Sequence, residues 1–195
     1  MTDRAGERAL AAAVEAARAA GEIALKYYRG DLEVLTKADH TPVTRADREA
    51  EEAIVEILQT AFPAHGVLGE EYGARGERGV RWIIDPIDGT QNFVRRLPIW
   101  ATLIALEEQG EITVGVVHNP LSGELYTARQ GGGAFLNGER IRVSGITRLE
   151  EAFLVHAGLG LLRKAPHWDG LVRLIDATGR QRGFGDYLGY ALTAG

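Results

Sequence analysis

The sequence predicts a mixed fold, α+β passing into α/β, built in layers. Three features of element order predict it: two amphipathic helical stretches open the chain, short β-rich segments fill its middle, and alternating strand and helix patterns return after residue 150. Residues 5–28 are rich in alanine, which loses no side-chain entropy in a helix, and Leu10, Val14, Ala17, Ile23 and Leu25 lie on an approximately helical stripe. Gly30-Asp31 ends this helix, and Glu33-Val34-Leu35 is a short extended stretch before a loop over residues 36–43. Thr44-Arg45-Ala46-Asp47 has the form of a capped helix start. Ala46, Ala50, Ala53, Ile54, Ile57, Leu58 and Ala61 then recur at helical spacing, with Pro63 just beyond. Val67-Leu68-Gly69-Glu70-Glu71 is a short apolar run ending in acids, and residues 80–84 read as a buried strand that stops at Asp85. Residues 99–106 and 112–117 predict an antiparallel hairpin; 125–128, 134–136 and 141–143 extend it, the last two joined through an Asn137-Gly138 turn. The three glycines at 131–133 lack the Gly-Lys-Ser/Thr ending of a phosphate loop and read as a β-turn. A strand at 152–155 and helices at 168–177 and 187–194 complete the order.

The 195 residues suffice for a substantial core, burying about 70% of the unfolded surface. With no linker or internal repeat, they are expected to form a single domain, 1–145 as an α+β part and 146–195 as the start of an α/β part. A hydrophobic fraction of 45% beside 25% charged residues leaves no compositional case for disorder. The net charge of −5, with no dense Lys/Arg stripe, argues against nucleic acid as a partner; Arg95-Arg96 and Arg140/Arg142 read as solvated pairs. The absence of cysteine excludes disulfides, thiolate catalysis and cysteine-based zinc sites. No apolar run nears the roughly 18 residues of a membrane span. The N-terminus carries Glu7, Arg8, Glu15 and Arg18, unlike a signal peptide, so no membrane partner and a cytoplasmic setting are expected.

The segment Trp82-Ile83-Ile84-Asp85-Pro86-Ile87-Asp88-Gly89-Thr90 carries the chemistry. A strand releases two carboxylates at one rim, Pro86 fixes φ, Gly89 permits close backbone approach, and Thr90 can cap the residues after it. A plain polar turn is the alternative for this segment alone; Glu70 upstream, and Asp47 in the first turn of its helix, favour a metal and phosphate site. Carboxylates about 5 Å apart repel by roughly 3 kcal/mol per pair at a moderate effective dielectric. Three gathered acids therefore imply a cation or raised pKa values. Oxygen ligands without a histidine or cysteine cluster suit magnesium.

The Gly69-Glu70-Glu71 end and the segment from Trp82 to Phe93, together with the stretch from Gly131 to Gly138, resemble the inositol monophosphatase superfamily of magnesium-dependent phosphomonoesterases. The resemblance implies a layered α-β-α-β-α sandwich and two-metal activation of water. It implies that Glu70, Asp85 and the Ile87 carbonyl hold one Mg2+, with Asp85 and Asp88 helping to hold a second. It also implies that Thr90, working with Asp47 and near Glu70, orients and deprotonates the attacking water, and that the Gly89 and Thr90 N–H groups hold phosphate. Lys37 matches a basic site residue of the family, a solvated loop lysine being its plain alternative, and Asp39 is a candidate for the surrounding network.

Arg182-Gly183-Phe184-Gly185-Asp186-Tyr187-Leu188-Gly189-Tyr190 resembles the histidinol-phosphate phosphatase branch, in which an acidic residue at a helix start can face a cationic substrate amine. That makes Asp186 a substrate-binding candidate, against the alternative of a plain helix N-terminal charge, and histidinol phosphate the expected substrate ahead of inositol-1-phosphate. The family carries a further Trp-Asp-x-Ala motif after the Gly-Asp segment. Trp168-Asp169-Gly170 precedes that segment and opens a helix instead. A C-terminally short, catalytically weak protein that binds metal or phosphate is therefore a second expectation. Apolar surface left exposed by an incomplete α/β layer would favour a homodimer. The five histidines show no metal-ligand spacing.

Overall fold

The computed structural model describes residues 3–30, 34–36, 42–164 and 166–195. They form two compact units, Met1–Ile141 and Arg142–Gly195. In the first unit, α1 (Asp3–Arg29) and α2 (Arg45–Ala61) pack on each other and on a sheet. A two-stranded antiparallel ribbon of β1 (Val34–Thr36) and β2 (Pro42–Thr44) precedes α2. The sheet has eight strands: β3 (Gly66–Gly69), β4 (Gly73–Arg75), β5 (Val80–Asp88), β6 (Ala101–Glu108), β7 (Glu111–Asn119), β8 (Glu124–Arg129), β9 (Gly133–Leu136) and β10 (Glu139–Ile141). Their spatial order is β10-β9-β8-β7-β6-β5-β3-β4. Every neighbouring pair is antiparallel except β3 and β5, which run parallel.

Alternation sets the faces of this sheet. Trp82 and Ile84, Ile104 and Leu106, and Val114 and Val116 all turn to one side and are almost fully buried, as the two-residue period of a strand requires. Against them lie Ala9, Ala13, Ala16, Ala17 and Ala20 of α1 and Ala50, Ile54 and Leu58 of α2. The alanine stripe brings the helix backbone close to the sheet, and the strands supply the bulk. The Asn137-Gly138 turn between β9 and β10 has φ of 50° and 85°, the left-handed pair of a tight hairpin.

A second cluster of Ala24, Leu25, Ala46, Ile87, Phe93 and Trp100 sits under the end of β5. Phe93 and Trp100 meet edge to face at 5.0 Å, and Tyr28 packs on both at 5.6 and 5.5 Å. Arg96, read from sequence as part of a solvated pair, caps the end of α1. Its guanidinium donates to the carbonyls of Tyr27 (2.9 Å), Tyr28 and Gly30 (2.7 Å), and Tyr28 returns a hydroxyl bond to the Arg96 carbonyl at 2.6 Å. The partners lie more than sixty residues away in sequence, so spacing could not reveal them.

The strand expected to stop at Asp85 runs on to Asp88. Asp85 still pairs with Leu103 and Asp88 with Ala101, across a register shift that absorbs the intervening residues. Pro86 has no N–H to give a ladder and falls within this irregularity, while its carbonyl accepts the Thr102 hydroxyl at 2.9 Å.

The second unit holds a parallel pair, β11 (Phe153–Val155) and β12 (Arg180–Arg182), with α4 (Leu159–Leu162), α5 (Trp168–Ala177) and α6 (Asp186–Ala194). Strand β12 is too polar to announce itself; its Gln181 side chain donates to the Ile175 and Thr178 carbonyls at the end of α5. Leu161 and Tyr190 are 73% and 83% exposed, so this unit carries open apolar surface. No helix among the described residues is long and apolar enough to cross a membrane.

Trp100 is wholly buried against two aromatic neighbours. Replacing it with alanine is expected to cost about 3–5 kcal/mol of stability in urea titration. A loss below about 1 kcal/mol would mean the aromatic cluster does not support the first unit.

Candidate functional site

Glu70 follows β3, and its N–H donates to the Ile84 carbonyl at 3.2 Å. The parallel register pairs Gly69 with Ile84, which sets Glu70 beside Asp85. Three residues further along β5 comes Asp88. Asp85 is half-buried, yet its Oδ1 is sealed from solvent without a hydrogen-bond partner. Its carboxyl is pushed up to about 9, first by burial and then by the negative charges on Glu70 and Asp88, and the protonated form donates to Glu70.

Asp47 lies in the first turn of α2, fully buried. Its Oδ2 accepts the Thr44 N–H at 2.7 Å and the Thr44 hydroxyl at 2.6 Å. Burial raises the Asp47 pKa to about 6 against those hydrogen bonds, and the charges on Glu71 and Glu70 add to the rise. Thr90 stands 3.5 Å from Asp47 Oδ1 through its hydroxyl, which donates more closely, at 3.1 Å, to the Ile87 carbonyl. The Ile87 side chain is buried below while its carbonyl faces Thr90.

Thr90 does not cap the short helix α3 (Thr90–Val94). Gly89 takes the cap position with φ 91°, a conformation costly to residues with a Cβ, and its carbonyl accepts the N–H groups of Asn92 and Phe93 at 2.8 and 2.9 Å. Thr90 is thereby the first helical residue, and its hydroxyl is turned back over Ile87.

The structure thus brings Asp47, Glu70, Asp85, Ile87, Asp88, Gly89 and Thr90 to one end of the parallel β3/β5 pair. Lys37 and Asp39 fall outside the described residues. Asp186 belongs to the second unit, where it opens α6 with φ 47° and lines a cavity of about 210 Å³ with His156, Gly185, Tyr190 and Thr193.

One acid escaped the sequence reading. Glu51, four residues after Asp47, is 1% exposed on the apolar face of α2 and accepts the N–H groups of Glu71 at 2.8 Å and Tyr72 at 3.1 Å. Burial raises its pKa against those two bonds. The available signal was an acid at a core position of the stripe Asp47, Glu51, Ile54, Leu58.

The site offers only oxygen donors, and the sealed Asp85 Oδ1 with its charged neighbours is an environment a hard divalent cation would relieve. The fit lies in donor chemistry. Among the described residues, no group of three or more His, Asp or Glu side chains is disposed as it stands to hold a metal ion.

Folding keeps the Asp47 proton to about pH 6 and the Asp85 proton to about pH 9, whereas in the unfolded chain both leave near pH 4. Stability from these protons is complete below the unfolded value and is lost as pH rises through 6 and towards 9. In chelator, the melting temperature of the wild-type chain is expected to fall between pH 5 and 8.5, and Asp85→Asn to flatten the fall. Identical slopes in the two proteins would show that Asp85 is not the strained acid.

The model of the inositol monophosphatase family matches residues 6–165 of the chain. The histidinol-phosphatase of Chlorobaculum parvum is 41% identical over 184 residues, which are 93% of this chain and 71% of that protein. The inositol-1-monophosphatase of Mesorhizobium japonicum is 44% identical over 146 residues, 74% of this chain and 54% of its own length. Among solved structures, the extragenic suppressor protein suhB from Bartonella henselae matches with a TM-score of 0.84 at 36% identity, covering 95% of this chain and 74% of that one. The two enzyme names indicate phosphoric monoester hydrolases, of different substrates, and the matches span 54% to 74% of the three proteins. On the family match and the shared layered fold, this chain belongs to the inositol monophosphatase family.

Proposed function

We propose that the chain is a magnesium-dependent phosphomonoesterase acting on a small phosphorylated alcohol, histidinol phosphate ahead of inositol-1-phosphate. The observation that carries this reading is the sealed, unpartnered Asp85 Oδ1 between Glu70 and Asp88, beside the Asp47–Thr90 pair. The relatives named histidinol-phosphatase and inositol-1-monophosphatase support it, as does the Asp186 segment for the choice of substrate.

Glu70, Asp85, Asp88 and the Ile87 carbonyl would hold the metal. When bound, magnesium supplies neutralisation of phosphoryl oxygens, acidification of water and stabilisation of the leaving alkoxide. The protein's own groups do the rest. Thr90 Oγ1, kept over the Ile87 carbonyl at 3.1 Å, orients the attacking water, and Asp47, 3.5 Å away, takes the proton passed through Thr90. Thr44 keeps Asp47 turned to this task through two hydrogen bonds to the other carboxylate oxygen. The Gly89 and Thr90 N–H groups receive the phosphate, while the Asn92 and Phe93 amides further along α3 are bonded back to the Gly89 carbonyl. On the family resemblance, Lys37 would contribute positive charge to phosphate binding and Asp186 negative charge to recognition of a substrate amine.

Phosphate release from histidinol phosphate and inositol-1-phosphate, with magnesium and with chelator, tests the reading. Magnesium-dependent release, faster from histidinol phosphate, is expected. Release from neither would leave a protein that binds metal or phosphate without turnover. Asp85→Asn is expected to lower turnover at least 100-fold with the fold intact, about the loss seen when a leading electrostatic group of an active site is removed. Asp186→Asn should weaken use of histidinol phosphate more than that of inositol-1-phosphate; equal losses would remove Asp186 from substrate choice.

A further inference from the structure

We infer that Glu51 is a positioning residue for Glu70: its carboxylate fixes the backbone turn that presents Glu70 to Asp85. The inference rests on the proposed metal site. The turn after β3 has three consecutive N–H groups, and each has a stated partner. Glu70 donates to the Ile84 carbonyl, while Glu71 and Tyr72 donate to Oε2 and Oε1 of Glu51. One contact ties the turn to β5, and two tie it to α2, the helix that also carries Asp47.

The reach of Glu51 depends on Gly69. A Cβ at that position would stand 1.9 Å from Glu51 Oε1 and 2.5 Å from its carboxyl carbon, so a larger residue would expel the carboxylate from its place under the turn. Placing an acid at a fully buried position of α2, in line with Ala50, Ile54 and Leu58, carries a desolvation cost that an apolar residue would avoid. Two amide donors on two different oxygens offset that cost, and they do so at the residues next to Glu70. A tie serving stability alone has no need to fall beside a metal ligand. Fixing that backbone reduces the ordering required of Glu70 when a cation arrives.

Three variants of the full chain separate position from charge. Glu51→Ala removes both acceptors, Glu51→Gln keeps the volume and one carbonyl oxygen, and Gly69→Ala keeps the charge but displaces it. Titration with magnesium alone in a calorimeter is expected to show metal affinity lowered about tenfold or more in Glu51→Ala and Gly69→Ala, and less in Glu51→Gln. Turnover at saturating magnesium should stay within about threefold of wild type, since the loss is in loading rather than in the loaded site. In chelator, amide exchange at Glu71 and Tyr72 should speed up in the same order. Where Glu51→Ala does not fold, Glu51→Gln and Gly69→Ala carry the comparison. Unchanged metal affinity in variants whose Glu71 and Tyr72 amides have lost protection would overturn the assignment, as would a larger loss in Glu51→Gln than in Gly69→Ala. A wild-type chain that binds no magnesium would instead overturn the metal reading on which the assignment rests, and the amide exchange in chelator would still report whether Glu51 holds the turn.

Discussion

Carboxylates crowded at the end of a sheet repel one another, and everything near Asp85 answers to that repulsion. The parallel pairing of β3 with β5 puts Glu70 next to Asp85, and the continued pairing of β5 with β6 adds Asp88. The proton Asp85 keeps and donates to Glu70 relaxes part of that repulsion, while its Oδ1, sealed from water, has no partner within the protein. Two further acids nearby are tied down. Thr44 holds Asp47, and backbone amides hold Glu51. Under the bulged end of β5 the aromatic group of Tyr28, Phe93 and Trp100 packs in one cluster with Ile87 of that strand. A site so crowded with like charge favours a counter-charge, and since no three of the described acids are disposed as they stand to hold a metal ion, binding one calls for movement of their side chains.

The parts of this design that show in the sequence are those whose cause is local. The alanine stripe of α1, the Thr44–Asp47 start of α2 and the Asn137-Gly138 turn each arise from a few neighbouring residues, and each stands where the pattern puts it. The acidic segment around Asp85 is legible for the same reason. Hidden from the sequence is whatever depends on a distant partner. Arg96 looks like a surface charge until the carbonyls at the end of α1 arrive beside it. Glu51 looks like one of many helix acids until the turn after Gly69 lays its amides on it. The extension of β5 past Asp85 depends on Leu103 and Ala101 across the ladder, and β12, with its Arg-Gln-Arg sequence, becomes a strand only by lying along β11.

The candidate residues fall in both units. The acids, the threonine and the glycine at the end of β5 all belong to the first unit, together with the core that supports them. Asp186 belongs to the second, on a helix start with a cavity of its own. Relatives that match this chain across the acid-bearing segment carry names with different substrates. Under the proposed roles, substrate preference would rest on Asp186 and hydrolysis on the acids and threonine of the first unit.

The order of the large sheet has one more effect. Its two outer strands, β4 and β10, are three residues long each; β4 ends in Arg75, β10 begins with Glu139-Arg140, and the exposed residues there are mostly charged or glycine. Short, charged rims offer little unpaired backbone for another chain to copy, so growth of the sheet from one molecule into the next is disfavoured. A concentrated solution of this protein is thereby guarded at both rims against strand-by-strand aggregation, even though the sheet between them is rich in the β-branched and aromatic side chains from which fibrils are made.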